Sequence, residues 1–267
     1  ILEFGSEGQK KRWLPNFCSE SFYPATAALM EPRISFDPRK LATTATISGD
    51  TATLNGVKCF VPLADRANVI VVYASTPEGV QAFVVEKGAP GMTIGQREEN
   101  MGLRSVPTFQ VTFENCSAPL TQRLGKNGAI DYERILNTSR ATLGAMAVGV
   151  ARASWEYALT YAKERHAFGD PIASRQSIAF MLAEMAMELD AMRLMAWRAA
   201  WRVDSNANGE ATRDATLARN YCSEKCMTIV DYGVQILGGH GYIREHPVEM
   251  WFRNGRAFAT LEGLCIL

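Results

Sequence analysis

Three short segments of this chain carry residue types that could do chemistry. Lys163–Ile172 contains Arg165, whose planar guanidinium is suited to phosphate oxygens. Gln235–Tyr242 contains the pair Gly238-Gly239, whose lack of Cβ atoms lets a ligand approach the backbone closely. Near the end of the chain, Leu261-Glu262-Gly263 supplies a carboxylate, a group that can act as a general base.

Each of these segments also has an ordinary structural explanation. A cation such as Arg165 is favoured near a helix C-terminus by the helix dipole. The glycines Gly238 and Gly239 can end a helix as a C-cap. Glu262, beside a glycine, can be a surface carboxylate. Taken one at a time, the structural explanations are favoured.

The cysteines and histidines point away from a metal site. Six cysteines include no CxxC pair, and Cys222 and Cys226, four residues apart in a helical pattern, are expected to share a face. Buried reduced thiols are favoured over a disulfide or a metal site. The three histidines lack metal-ligand spacing, so we predict no metal site.

Composition and charge narrow the class of protein. The 267 residues, 47% of them hydrophobic, suffice for two domains with a sizeable core. Lys and Arg total 28, as do Asp and Glu, so the basic excess of a nucleic-acid binder is missing. Without a long apolar run or a signal peptide, the sequence predicts a soluble intracellular protein with no transmembrane segment. The chain opens without methionine and stops without a tail, which we interpret as a truncated fragment.

The periodicity of the sequence changes near residue 125. Before it, short segments rich in β-branched residues alternate with turns, such as Ser48-Gly49-Asp50, and predict strands. After it, apolar residues recur at three- and four-residue steps over about 129–165, 174–204 and 211–237, with a shorter segment at about 247–255. We therefore predict an α+β fold. A small antiparallel β-barrel or sandwich is followed by a C-terminal domain of the four-helix-bundle type.

The three segments, in this order and on this layout, resemble the acyl-CoA dehydrogenase family. The family patterns E-R-x-x-F-G-x-P-I and Q-I-L-G-G-x-G are both intact here, and its Y-E-G-T is partly kept as Leu261-Glu262-Gly263-Leu264. The segment Ser177–Ala186 is close to that of medium-chain members. The resemblance covers nearly the whole chain. It divides the chain into the end of a truncated N-terminal helical domain (1–21), a β domain (22–120) and a helical bundle (121–267).

This resemblance implies an FAD-dependent enzyme that removes two hydrogens from an acyl-CoA thioester. Glu262 matches the base that takes the α proton, while the β hydrogen leaves as hydride to flavin N5. Some branches of the family place the base where this chain has Ser139, which cannot serve. Arg140 matches a residue near the base and the acyl-CoA, and is assigned to the substrate pocket.

The resemblance also implies cofactor contacts and partners. Five residues match positions that contact the FAD of a neighbouring subunit: Arg165, Phe168, Gln176, Gln235 and Gly239. The expected partners are an electron-transferring flavoprotein and further subunits in a homotetramer or hetero-oligomer. The bacterial cytoplasm and the mitochondrial matrix both fit. An acyl-CoA oxidase would share the fold.

The β domain departs from the family pattern at positions that contact a subunit's own flavin. The family's T-E-P-G-A-G-S-D corresponds to Met30–Asp37, in which Met30 and Phe36 replace hydroxyl residues. Its W-I-T corresponds to Phe60-Val61-Pro62. Phe60 can still stack on a flavin, but Pro62 offers neither a hydroxyl nor an N–H. Two alternatives stay open beside the active enzyme: one subunit of a mixed complex, and a family-like protein without dehydrogenase activity.

Overall fold

The computed structural model describes residues 1–205 and 209–262. The chain divides into two compact units, one formed by Ile1–Glu99 with Ser105–Tyr132 and the other by Asn100–Arg104 with the described part of Glu133–Gly263. Over the described residues, no helix combines the length and apolarity needed to cross a membrane. The domain boundaries at 21/22 and 120/121 stay a prediction.

The first unit is built on a seven-stranded sheet preceded by a short helix. The helix α1 (Glu7–Trp13) starts at Ser6, whose side chain accepts from the Gln9 N–H in a capping box. The strands run in spatial order β1-β4-β2-β3-β7-β6, with β5 paired to β4. Their bounds are β1 Ala25–Ala28, β2 Thr44–Ser48, β3 Thr51–Pro62, β4 Val69–Thr76, β5 Gly79–Glu86, β6 Met92–Arg97 and β7 Thr108–Pro119.

The sheet is mixed, which corrects the prediction of an antiparallel sheet. The pairs β2–β3, β3–β7, β4–β5 and β6–β7 are antiparallel, but β1 lies parallel to β4, with Ala25 opposite Val69. Parallel partners need a long connection, and the chain between β1 and β4 supplies one by building β2 and β3 on the way. The α+β class with a helical C-terminal part is confirmed. The barrel or sandwich and the four-helix bundle stay predictions.

A buried ion pair ties the segment after β1 to β3. Lys58 is 0% exposed, and its ammonium donates to the Leu29 carbonyl and to the Glu31 carboxylate, each at 3.0 Å. Glu31 also accepts from the backbone N–H groups of Ala42 (2.7 Å) and Thr43 (2.8 Å). Burial alone would raise the pKa of Glu31. The Lys58 charge and the two backbone N–H groups outweigh burial and hold that pKa below its ordinary value.

The second unit is helical. Its helices are α2 (Tyr132–Glu164), α3 (Gln176–Asp204), α4 (Glu210–Leu237), α5 (Gly239–Tyr242) and α6 (Val248–Thr260). A two-strand hairpin, β8 (His166–Ala167) and β9 (Asp170–Pro171), precedes α3. The predicted helix bounds agree with these to within a few residues, because the apolar periodicity is long and regular.

The interior of the helical unit combines alanines and sulfur-containing side chains with larger aliphatic ones. From the methionine-rich stripe of α3, Leu182, Met185, Leu189 and Met192 are buried, as core packing predicts. The prediction of buried reduced thiols is confirmed for Cys59, Cys116, Cys222 and Cys226, which are free and buried, whereas Cys18 is free but exposed. Cys265 lies outside the described residues. Burial raises the pKa of Cys222 and of Cys226 to about 12, so both stay protonated thiols.

Candidate functional site

Glu262 follows Leu261, the C-cap residue of α6. The Leu261 N–H donates to the Ala257 carbonyl, which is the last hydrogen bond of the helix. The backbone of Leu261 is extended (φ −93°, ψ 147°). The turn leads Glu262 into the helical unit rather than towards water, and the residue is 6% exposed. The explanation of Glu262 as a surface carboxylate is therefore wrong.

Arg140, from the first third of α2, binds this carboxylate through two nitrogens on one edge of its guanidinium. Its Nε donates to Glu262 Oε2 at 3.2 Å and its Nη2 donates to Oε1 at 3.0 Å. The remaining nitrogen, Nη1, donates to Thr216 Oγ1 on α4 at 3.1 Å. Arg140 is itself 6% exposed. Such a two-pronged contact fixes the plane of the carboxylate as well as its position.

The pairing explains how a charge can be kept inside this unit. Removing a carboxylate from water is costly unless a partner of opposite charge and hydrogen bonds compensate. Arg140 provides both for Glu262. The structure therefore gives Arg140 a contact to the carboxylate, whereas the substrate-pocket role assigned from the resemblance stays a prediction.

The surroundings of Glu262 include residues that the sequence analysis did not single out. Thr216, Arg219 and Ser223 lie at three- and four-residue steps on α4 and so share one face of that helix. Ser223 Oγ donates to the Phe258 carbonyl at 2.9 Å, and Arg219 Nη2 donates to the Leu261 carbonyl at 3.2 Å. The signal in the sequence is polar residues at helical spacing beside buried Ala215, Ala218 and Cys222.

Ser139 occupies the alternative base position that the resemblance indicates. It is 1% exposed, and its hydroxyl is among the buried polar atoms without a hydrogen-bond partner in the described structure. A serine hydroxyl with no basic partner is a poor proton acceptor. Ser139 is thus unsuited to the task, and Glu262 remains the candidate.

A second group of residues lines a cavity of about 350 Å³ elsewhere in the helical unit. Arg165 and Ile172 contribute from the two ends of the β8–β9 hairpin, where the Ile172 N–H donates to the Arg165 carbonyl at 2.8 Å. Gly238 and Gly239 contribute the turn between α4 and α5. Gly238 has φ +57°, a conformation that favours glycine. A Cβ at either glycine would meet no atom within 4 Å, so the space beside this turn is open to a ligand.

The cavity also has an aromatic wall. The Tyr161 hydroxyl lies 2.8 Å from His240 Nδ1, and both residues line the cavity. The ring of His240 stacks on that of His246, with centroids 5.1 Å apart. A positively charged Arg165 beside free backbone and aromatic rings is an arrangement that can hold an anionic group.

The other three residues assigned to a neighbouring subunit's cofactor do not line this cavity. Phe168 is 96% exposed on the β8–β9 turn, with φ +55°. The turn is fastened by Arg175, whose guanidinium donates to the Ala167 and Phe168 carbonyls. Gln176 is exposed at the start of α3, and Gln235 is exposed in the last turn of α4. The structure therefore brings together Arg165 and Gly239 of the five.

In the sheet unit, the position of Phe60 is set by its backbone. Phe60 has φ +51°, and its N–H donates to both oxygens of Glu98 at 3.1 and 3.2 Å. The ring is half-buried. Met30 is buried, and its carbonyl accepts from the Cys59 N–H at 2.9 Å. Leu264, another departure from the family pattern, lies outside the described residues.

Comparison with known proteins agrees with the resemblance read from the sequence. The model of the acyl-CoA dehydrogenase C-terminal domain matches residues 126–264, and that of the middle domain matches residues 26–116. The short-chain specific acyl-CoA dehydrogenase of Rattus norvegicus is 36% identical over 271 residues, covering 98% of this chain and 65% of that protein. The caffeyl-CoA reductase-Etf complex subunit CarC of Acetobacterium woodii is 38% identical, covering 98% of this chain and 70% of that protein.

The likeness extends to solved structures. Butyryl-CoA dehydrogenase from Megasphaera elsdenii matches with a TM-score of 0.87 at 33% identity, covering 98% of this chain and 70% of that chain. The chain thus spans about two thirds of the length of the relatives it matches. On the domain models, which together cover both the sheet and the helices, this chain belongs to the acyl-CoA dehydrogenase family.

Proposed function

We propose that this protein catalyses the FAD-dependent α,β-dehydrogenation of an acyl-CoA thioester, with Glu262 as the base. The observation that carries this proposal is the buried Glu262 carboxylate, held at the end of α6 by Arg140. Family membership supplies the reaction class, and the geometry supplies a carboxylate shielded from water. The acyl chain length is left open.

The protein holds the proton acceptor in a fixed position and shields it from water. The α proton of a thioester is weakly acidic, so its removal needs a base fixed at the α carbon. Arg140 fixes the carboxylate plane, and the contacts of Ser223 and Arg219 fix the main chain that carries it. Water near the carboxylate would compete for its lone pairs, and burial excludes it.

The residues of the helical unit fit the FAD that the family implies. The glycines at 238 and 239 leave a cradle that Cβ atoms would narrow, and Arg165 places a guanidinium on the same 350 Å³ cavity. We infer that Arg165 and Gly239 hold its pyrophosphate from a neighbouring subunit, with Phe168, Gln176 and Gln235 as further contacts. When bound, FAD would accept the β hydrogen as hydride.

A second candidate function rests on the sheet unit. Met30, Phe36 and Pro62 place no hydroxyl where the family pattern has three, while the Phe60 N–H is already bonded to Glu98. These departures favour a subunit that contributes Glu262 and the Arg165 cavity to a mixed complex whose partner supplies the complete flavin contacts. An electron-transferring flavoprotein as the electron acceptor is proposed for either form.

The test uses the visible absorption spectrum of the full-length protein with added FAD, recorded anaerobically before and after an acyl-CoA series. We expect a yellow protein that is bleached by its substrate. Glu262→Gln should stay yellow and fail to bleach, while Glu224→Gln, which alters an exposed carboxylate on α4, should behave like wild type. Bleaching of Glu262→Gln at the wild-type rate would refute the assignment of Glu262 as the base. A protein that is colourless alone but co-purifies with a flavin-loaded dehydrogenase would favour the mixed complex.

A further inference from the structure

Two arginines face the Glu262 carboxylate, and the family resemblance accounts for only one of them. Arg140 forms the two-pronged ion pair described above. Arg219 approaches from α4, and its Nε lies 3.7 Å from Glu262 Oε1. That distance is an ion-pair contact but too long for a hydrogen bond. Arg219 thus acts on the carboxylate through charge rather than through direct bonding.

The direct bonds of Arg219 go to the main chain. Its Nη2 donates to the Leu261 carbonyl at 3.2 Å, one residue before the base, and its Nη1 donates to Asn220 Oδ1 at 3.2 Å. Leu261 is the C-cap of α6, beyond which the helical hydrogen-bond ladder gives no support. Arg219 therefore ties down the peptide at which the chain leaves the helix and turns towards Glu262.

The side chain of Arg219 also faces the Glu262 carboxylate. It is 19% exposed, and its Nε is a buried nitrogen without a hydrogen-bond partner in the described structure. A buried donor left in this state is costly, and such groups call for an explanation. The Glu262 carboxylate lies 3.7 Å from this nitrogen and is already held by Arg140. A small rotation of the carboxylate away from Arg140 would bring Oε1 within reach of Arg219.

We propose that Arg219 is a positioning residue for the base, a role that rests on the proposed function. It holds the Leu261 carbonyl so that residue 262 starts from a fixed peptide. It also offers a second cationic contact when Glu262 turns from Arg140 towards the thioester. The carboxylate can then move between two guanidinium groups without becoming an unpaired buried charge, which would be costly.

The test compares Arg219→Met, Arg219→Lys and, as the matched control, Arg213→Met, which removes an exposed arginine from the same helix. The assays are kcat and KM with an acyl-CoA, solvent deuterium exchange at its α carbon, acyl-CoA binding, and thermal unfolding. For Arg219→Met we expect kcat and the exchange rate to fall together, about 10- to 100-fold, since small misplacements of a base have effects of this size. KM, binding and the thermal midpoint should stay near wild type. Arg219→Lys should recover part of the loss, and Arg213→Met should lose nothing.

Three results would overturn the inference. One is wild-type kcat and exchange in Arg219→Met. Another is a loss that follows thermal destabilisation or weaker acyl-CoA binding instead of the proton step. The third is an Arg219→Lys variant no better than Arg219→Met. Glu262→Gln, measured in the same assays, distinguishes a failure of this inference from a failure of the proposed function. If Glu262→Gln abolishes exchange while Arg219→Met does not slow it, only the role of Arg219 is refuted.

Discussion

The buried pair Glu31–Lys58 offers the sharpest test of how the sheet unit is held together. Lys58→Met removes the ammonium while keeping most of the side-chain volume. It deletes the two 3.0 Å bonds from Lys58 Nζ and leaves Glu31 with the backbone N–H groups of Ala42 and Thr43 and with the half-exposed Arg33, whose Nε lies 4.0 Å from Oε2. With the two side chains 0% and 2% exposed, water cannot replace the lost partner.

The expected cost of Lys58→Met is about 3–5 kcal/mol, the range for removing one partner of a buried ion pair. The double variant Glu31→Gln/Lys58→Met should cost less than Lys58→Met alone. A neutral amide needs no counter-charge, and its oxygen can still accept one of the two backbone N–H groups. Arg152→Met, which breaks the exposed pair Arg152–Glu156, should cost at most about 1 kcal/mol.

The measurement is urea unfolding at equilibrium, with the two units followed by separate probes so that a transition of the sheet unit is resolved. The cost of Lys58→Met should shrink as the pH falls towards and below 4.5, the ordinary pKa of Glu31, because a buried carboxylate that lacks the Lys58 ammonium can be protonated instead of remaining charged. A cost below about 1 kcal/mol for Lys58→Met, or a double variant less stable than Lys58→Met, would refute this reasoning.

Four further outcomes are expected. Since the Glu31 pKa is lowered on folding, its contribution to stability should be complete above pH 4.5 and lost as the pH falls through the folded-state value, so wild type and Glu31→Gln should converge in stability in acid. Thr216→Val, which removes the acceptor of Arg140 Nη1, should lower kcat several-fold with little change in thermal midpoint, as measured by steady-state kinetics and calorimetry. Cys18 is exposed, whereas burial raises the pKa of Cys59, Cys222 and Cys226 to about 12, so a thiol reagent at neutral pH should modify Cys18 in the native protein and spare those three, as peptide mass mapping would show. Gly144→Ala should stabilise the protein by about 0.5–1 kcal/mol, because the added Cβ would sit 3.6 Å from Cys222 Sγ in ordinary contact and alanine favours a helix interior; thermal destabilisation would contradict this.

Most of the elements, and the α+β class of the fold, can be predicted from the amino-acid sequence alone. Regular apolar periodicity over about 174–204 and 211–237 predicts α3 and α4 closely, because a long pattern with this repeat is typical of an amphipathic helix. The strands β1 and β6 have no clear signal in the sequence. β1 has four residues with little β-branched content and depends on pairing with the distant β4, while β6 is largely exposed and depends on pairing with the next strand, β7.

The sequence also pointed to Glu262, Arg140 and Arg165, but only by resemblance to a family. Alone, Glu262 and Arg165 had ordinary structural explanations, because spacing along a chain does not reveal whether a charge is buried. The structure decided that Glu262 turns inward, that Arg140 grips it from 122 residues away, and that Arg219 faces it from α4. Contacts between residues so distant in sequence arise when helices pack, and their energies depend on burial and distance, which become defined once the chain has folded.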